Sequence, residues 1–366
     1  MDTANNLRQY FPLIREKEQL LSEIRENRQL RRIFEGWREE QQNEFLDFCT
    51  GARGVKLLYD SFFKEIMNPE YDPARMNDFL SQLLKQKVHI LKVLPNDSVR
   101  ISAENTLLIT DLVVQLEDGS IANLEIQKIG YLFPGQRAAC YSADLLLRQY
   151  KRIRSKQKKK FSYKEIKPVY TIVLFEQSPK EFHSFQDVWL HYIEPRSDTG
   201  IHLDLLQKYL FIPLDIFKKS FHNKAVTGKT ITSKTDAWLT FLCMDSPEDI
   251  IRLITDYPEF KPMYEDLYDL CLNTERVMEM FSKELQILDE NTVQYMMDEM
   301  QDTINEMKGQ ITDRDNAIIG KDIVIADQNI IIADKDNIIT ELNSTIQELQ
   351  KEIVLLKGNT DQAFPS

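Results

Sequence analysis

Isoleucine recurs at strict seven-residue intervals near the C-terminal end of the chain, and this repeat constrains the fold more than any other feature. The repeat occupies eight positions: Ile304, Ile311, Ile318, Ile325, Ile332, Ile339, Ile346 and Ile353. Such spacing is typical of a helix whose seam is buried against another helix. The positions three residues after each of these isoleucines are apolar only at the two ends of the tail. An ordinary leucine zipper would have apolar residues at these positions throughout. We expect a coiled coil over residues 301–358 that joins two copies of the chain, most simply as a parallel homodimer. A solitary helix is the alternative.

The composition is that of an ordinary globular protein, and it excludes several classes. Of the 366 residues, 42% are hydrophobic and 28% are charged, and the four cysteines lie far apart without a Cys-x-x-Cys pair. This pattern excludes a disulfide scaffold and a thiolate metal site. The chain shows no secretory signal pattern and no apolar run of about 20 residues, so we expect no membrane segment and a cytoplasmic location.

The charge is distributed unevenly. The net charge of −12 divides into −17 for residues 245–366 and +5 for residues 1–244. Seven of the ten residues from 151 to 160, KRIRSKQKKK, are Lys or Arg. This stretch fits either a solvated helix end or a stripe that neutralises phosphates. The first two thirds of the chain are therefore compatible with a nucleic-acid partner despite the acidic total.

The apolar pattern predicts a mixed α/β core within residues 51–200. Helices are expected at 55–66, at 73–86 and from Pro134 to about residue 157. Strands are expected at 87–94, 105–116, 121–129 and 169–175, the last of them buried on both faces. The resulting order is α-β-β-β-α-β. Residues 1–50 and 201–300 are predicted to be mostly helical, with one further strand near 209–214, and residues 359–366 to be a disordered tail.

The Asp118-Gly119 pair predicts a hairpin turn between the second and third strands, because such turns need positive-φ positions. This turn brings Asp111 on the outgoing strand close to Glu125 on the returning strand. Glu125 and Gln127 are two residues apart and leave the same face of the sheet. Two carboxylates held together in an apolar sheet repel each other unless a cation offsets them, and oxygen ligands suit Mg²⁺, Mn²⁺ or Ca²⁺. The alternative is two acids on the solvent face of an amphipathic hairpin.

The spacing D-x13-E-I-Q after an apolar strand resembles the PD-(D/E)XK nuclease motif. More closely, the chain resembles the bacterial PD-(D/E)XK nuclease family transposases, which are related to recombination-promoting nucleases. The likeness extends over about residues 50–300, in segments such as LLYDSFFKEIMNPEYDP, DLVVQLEDGSIANLEIQKIGY and FPGQRAACYSADLLLRQYKR. The resemblance implies a restriction-endonuclease-like α-β-β-β-α-β core with a mixed central sheet. It also implies a metal-dependent DNA endonuclease.

The resemblance assigns roles to the motif residues. Asp111 and Glu125 would bind the metal together with the backbone carbonyl of Ile126. Gln127 stands where many members carry a catalytic lysine. A glutamine can position a water or a phosphate oxygen, but it supplies no positive charge. Asp60 lies on the first core helix, where the superfamily often supplies another acid, and an ordinary surface carboxylate is the alternative.

Basic and aromatic residues after the motif are expected to contact DNA. Arg137 and Tyr141 are spaced i, i+4 and therefore share one face of a helix. The resemblance implies that this face points towards the active site or the DNA, whereas a bland helix face is the alternative. The other expected DNA contacts are Lys128, Arg148, Lys151, Arg152 and Arg154.

Two functions compete on these residues. The first is a metal-dependent endonuclease that cuts phosphodiester bonds in transposition or recombination. The second is a DNA-binding or assembly protein, built on an inactive nuclease core, whose coiled coil recruits partners. The absent lysine favours the second function. The retained Asp111 and Glu125 favour the first, because a scaffold gains nothing from two buried acids. Metal dependence distinguishes the two.

Overall fold

The computed structural model describes residues 7–94, 112–128, 134–225 and 231–361. The chain divides into two compact units, Met1–Met296 and Met297–Ser366. In the described ranges the α-helices are α1 Leu7–Tyr10, α2 Lys17–Glu26, α3 Arg28–Gly36, α4 Glu39–Cys49, α5 Asp60–Ile66, α6 Pro73–Leu84, α7 Pro134–Gln157, α8 Leu214–Ala225, α9 Lys234–Cys243, α10 Pro247–Asp256, α11 Lys261–Leu270 and α12 Thr274–Asp361. Short 3-10 helices lie at Lys158–Lys160, Tyr163–Glu165, Lys180–Ser184 and Pro258–Phe260.

One mixed sheet of six strands forms the centre of the described structure. The strands are β1 Ile90–Val93, β2 Leu112–Leu116, β3 Ile121–Gln127, β4 Val169–Phe175, β5 His191–Ile193 and β6 Gln207–Pro213, and their spatial order is β1-β2-β3-β4-β6-β5. The first three strands are antiparallel, β3, β4 and β6 are parallel, and β5 is antiparallel to β6. The run α6-β1-β2-β3-α7-β4 reproduces the expected α-β-β-β-α-β order. The domain boundary predicted near residue 200 falls between β5 and β6, which pair in this sheet.

The hairpin between β2 and β3 forms where the Asp-Gly pair predicts it, but its turn differs from the expected one. Gly119 has φ 88°, whereas Asp118 is not among the described residues with positive φ. The Gly119 amide donates to the Leu116 carbonyl at 3.0 Å, and the Leu116 amide donates to the Ser120 carbonyl at 2.9 Å. These bonds fit a type I turn followed by a glycine bulge, which needs only one positive-φ residue. The Asp118 carboxylate instead accepts the Ser120 amide at 2.9 Å.

The two faces of the sheet bury different partners. One face, which includes Leu124 and Ile172, packs into a large core built with the N-terminal helices and with α8 to α11. The opposite face lies against α7, whose Ala138 packs with Val173 and Phe175. Burial on both faces explains why β4 has a nearly continuous apolar sequence. The buried polar residues of β3, Asn123, Glu125 and Gln127, lie on the face that α7 covers.

The heptad tail lies within α12, which runs without interruption from Thr274 to Asp361. The structure therefore confirms a long helix. In the single chain the repeated isoleucines are about half exposed, for example Ile325 at 52% and Ile332 at 55%. Within the described ranges, none of the helices is both long enough and apolar enough to cross a bilayer.

Candidate active site

A row of polar side chains runs along β3 on the face covered by α7. Asn123, Glu125 and Gln127 are only 0%, 1% and 4% exposed. They occupy alternate positions of one strand, so all three side chains leave the same face. Their parallel neighbours on β4 in the same register are Thr171, Val173 and Phe175. The hairpin acid is thus buried, which contradicts the alternative of a solvent-exposed face.

Glu125 is held by one amide and one guanidinium. Its Oε1 accepts a hydrogen bond of 2.9 Å from Gln127 Nε2 and lies 3.1 Å from Arg137 Nη2. Glu125 Oε2 and Gln127 Oε1 are also buried, and neither has a hydrogen-bond partner among the described residues. Buried oxygens that accept no hydrogen bond lower the stability of the fold. A hydrogen-bond donor or a cation beside these two oxygens would therefore be favoured.

Burial raises the pKa of Glu125 above the ordinary value for a glutamate. The Arg137 guanidinium and the Gln127 amide favour the carboxylate and oppose this rise, but burial is the largest influence. The protonated form of Glu125 therefore persists to a higher pH than that of an exposed glutamate. A second cation beside Oε2 would favour the ionised form.

Arg137 and Tyr141 lie on successive turns at the start of α7. The Arg137 Cζ atom is 5.5 Å from the centre of the Tyr141 ring, and Tyr141 is buried. The contact confirms that the two residues share one helix face, as their spacing predicts. Through Arg137, this face reaches Glu125. The structure thus brings together Glu125, Gln127, Arg137 and Tyr141.

Asp111 lies outside the described residues. The pairing of Asp111 with Glu125 was predicted from the register of the hairpin, and the described part of the hairpin tests that register. Leu112 pairs with Leu124 and Val113 pairs with Asn123, so the residue numbers of each pair sum to 236. Asp111 and Glu125 have the same sum, and the predicted register is therefore confirmed for the pairs that the structure describes.

The oxygens of this site match the donors that a hard divalent ion takes. Glu125 Oε2 and Gln127 Oε1 are buried oxygens on one strand face, and Ile126 lies between them. Among the described residues, no group of three or more His, Cys, Asp and Glu is placed to hold a metal ion. The two buried oxygens are of the kind that an ion with oxygen ligands takes.

Two predicted site residues make contacts of another kind. Lys128 is 8% exposed, and its Nζ donates to the Leu58 carbonyl, lies 3.6 Å from Glu176 Oε2 and sits 4.4 Å above the Tyr59 ring. Lys128 is therefore largely buried among these groups in the described structure, and its predicted contact with DNA stays a prediction. Asp60 begins α5, and its carboxylate lies 2.7 Å from Lys64 Nζ.

The remaining predicted DNA contacts follow the second half of α7. Arg148 pairs with Asp144 at 2.7 Å, Lys151 and Arg154 are exposed, and Arg152 is half-buried. Arg154 also donates to the hydroxyl of Tyr150. Sequence reasoning missed this aromatic partner, although aromatic residues interleaved with Lys and Arg would have indicated it. It also missed Asn123, whose place two residues before Glu125 was the available signal.

The family comparison covers this whole arrangement. The model of the PD-(D/E)XK nuclease family transposases matches residues 57–300, which is more than half of the chain. The chain belongs to this family. No curated protein and no solved structure matches this chain. As a member of the PD-(D/E)XK nuclease family transposases, the protein has a mixed six-stranded sheet with many helices, which is consistent with the α/β fold of this family. Helices α1 to α4 precede the matched region.

Proposed function

We propose that the protein is a metal-dependent DNA endonuclease that hydrolyses phosphodiester bonds during transposition or recombination. The observation that supports this proposal best is the buried pair Glu125 and Gln127, because Glu125 Oε2 and Gln127 Oε1 lack hydrogen-bond partners within the described ranges. Membership of a nuclease family makes DNA the expected substrate. A buried carboxylate of this kind costs stability in a scaffold, whereas a nuclease uses it to hold an ion.

In this proposal the ion is Mg²⁺, or Mn²⁺ or Ca²⁺ in its place. Asp111, Glu125 and the backbone carbonyl of Ile126 would hold it. When bound, such an ion activates water and stabilises the charge that develops on a phosphodiester. Gln127 orients the water or a phosphate oxygen through its amide. Asp60 is a further acidic candidate, although its pairing with Lys64 must open before its carboxylate takes part.

Arg137 supplies the positive charge that Gln127 lacks. Its guanidinium lies 3.1 Å from Glu125, at the position in the described structure where a cation stabilises the buried carboxylate. A guanidinium keeps its charge at every relevant pH and binds phosphate oxygens well. Arg137 is therefore proposed to contact the DNA phosphate, with Tyr141 supporting its guanidinium from one turn further along α7. Arg148, Lys151, Arg152 and Arg154 would continue the DNA-binding surface along the helix.

Metal dependence tests the proposed function directly. Purified full-length protein is incubated with a supercoiled plasmid in Mg²⁺, Mn²⁺, Ca²⁺ or EDTA, and the nicked and linear forms are measured. We expect cleavage with Mg²⁺ or Mn²⁺ and none with EDTA. Equal cleavage with EDTA would contradict the proposed chemistry. Salt-sensitive DNA retention without cleavage in any metal would favour the alternative function, an inactive nuclease core used as a DNA-binding or assembly scaffold.

We also propose that the protein forms a homodimer through the heptad tail. The repeated isoleucines are about half exposed in the single chain, and an exposed seam of this length favours a partner helix. The double substitution Ile325→Asp and Ile332→Asp is expected to halve the mass measured by light scattering. The matched control is Ile323→Asp with Ile330→Asp, two exposed isoleucines outside the repeat. A monomeric wild-type protein, or dimer loss in both variants, would contradict a seam at the repeat.

A further inference from the structure

The end of α7 and the loop that follows it combine dense positive charge with three aromatic rings, of which one is exposed. We call residues 150–164 the basic-aromatic segment. Eight of its residues from 151 onwards are Lys or Arg, and none is acidic. Its three aromatic residues are Tyr150, Phe161 and Tyr163. Tyr163 is 71% exposed, so most of its ring is open to solvent.

The three rings form one cluster. The Tyr150 and Tyr163 rings are nearly parallel, with an interplanar angle of 9° and centres 6.1 Å apart. Phe161 meets Tyr150 edge-on at 5.4 Å and Tyr163 edge-on at 5.1 Å. The Arg154 guanidinium lies 5.5 Å from the Tyr150 ring. Tyr163 is therefore held by ring contacts while most of its surface still faces solvent.

Hydrogen bonds hold the loop against α7 on both sides of the cluster. The Gln149 side chain bonds to both backbone groups of Lys167, donating to the carbonyl at 3.1 Å and accepting the amide at 2.5 Å. Further along the helix, Gln157 donates to Glu165. A platform fixed in this way loses little conformational freedom when a ligand binds, which favours binding.

An exposed flat ring among cations matches an anionic partner that also presents flat rings. Single-stranded DNA has this chemistry, because its bases are open to stacking on aromatic side chains while its phosphates attract Lys and Arg. A duplex offers the same phosphates but hides its base faces. Anionic lipid attracts the same cations, but α7 also carries Arg137, thirteen residues before Tyr150, at the proposed catalytic site. At about 1.5 Å per residue, that separation is about 20 Å along one helix.

We propose that the basic-aromatic segment binds single-stranded DNA, with one base stacked on Tyr163 and its neighbouring phosphates on the surrounding cations. The inference rests on the proposed nuclease function for its biological setting. The strand bound here would be single-stranded DNA that continues from the cleavage site along α7. The segment thus distinguishes DNA with an unpaired strand from fully paired DNA.

Fluorescence anisotropy tests this inference on the full-length protein in EDTA, where metal-dependent cleavage is absent. The probes are a labelled oligodeoxythymidine strand and a labelled duplex of equal length. Tyr163→Ala is expected to weaken binding of the single strand about tenfold, the typical effect of losing one base–aromatic stack. Duplex binding should change less than about threefold, because phosphate contacts remain. Tyr163→Phe keeps the ring and should restore single-strand affinity.

Tyr71→Ala is the matched control, since Tyr71 is an 80% exposed tyrosine at another place on the surface. It should leave both affinities unchanged. Equal losses for the strand and the duplex in Tyr163→Ala, or no loss for either, would overturn the inference. So would wild-type protein that binds anionic vesicles but neither DNA probe. A protein that fails to nick plasmid yet keeps Tyr163-dependent strand binding would contradict the nuclease function alone.

Discussion

Replacing Glu125 by glutamine is expected to lower metal-dependent nicking of a supercoiled plasmid by about a thousandfold or more, beyond the range typical for loss of a supporting metal contact. Glutamine keeps the shape of the side chain and can still accept the hydrogen bond from Gln127. It removes the negative charge that Arg137 and the proposed ion both need. The Asp111→Asn variant should have a loss of similar size, because it removes the other proposed carboxylate ligand. Initial nicking rates in Mg²⁺ measure both effects.

Asp78→Asn is the control for these variants. Asp78 lies on α6, accepts the Trp238 indole N–H at 2.8 Å and lies 3.1 Å from Lys234 Nζ. Like Glu125, it is a carboxylate bound to a donor and a cation, but it is only partly buried. The nicking rate of the Asp78→Asn variant should stay within about twofold of wild type, since α6 carries none of the proposed metal ligands. Circular dichroism shows whether each variant is folded at the assay temperature. Folded Glu125→Gln protein with full activity would remove Glu125 from the proposed chemistry.

The register of the hairpin could be predicted from the sequence because local rules determine it. Gly119 supplies the positive φ that the turn needs, and side chains alternate between faces with a period of two. Together these rules fix which residues of β2 and β3 face each other. The detailed turn type was beyond prediction, because a type I turn with a glycine bulge and a two-residue turn share the same Asp-Gly signal.

Contacts between distant segments could not be predicted in the same way. Lys128 follows the motif by one residue, but its ammonium is drawn to the Leu58 carbonyl and the Tyr59 ring. This contact depends on where α5 packs, and the sequence pattern of β3 alone does not predict that packing. The contact of Arg137 with Glu125 likewise depends on how α7 crosses the sheet. Strand β5 has only three residues, too few for its alternation to be recognised.

The N-terminal helices belong to the same core as the sheet, although the family match begins after them. Phe281 on α12 is fully buried, and its ring centre lies 5.1 Å from that of Trp37, 5.9 Å from that of Phe45 and 5.5 Å from that of Phe48. It is also 6.0 Å from the ring centre of Tyr59. One side chain thus connects α4 and the residue after α3 with the segment that leads into α5.

Phe281→Ala is therefore expected to lower the free energy of unfolding by about 3–5 kcal/mol, the usual cost of removing a buried phenylalanine. Urea unfolding followed by tryptophan fluorescence measures this loss. The control Phe185→Ala removes a ring that is 55% exposed and should cost less than about 1 kcal/mol. A cost below about 1 kcal/mol for Phe281→Ala would show that the N-terminal helices do not pack here. A large loss of unfolding free energy would indicate that the N-terminal helices help to support the proposed active site. The link is Tyr59, which contacts both Phe281 and Lys128, the residue after Gln127.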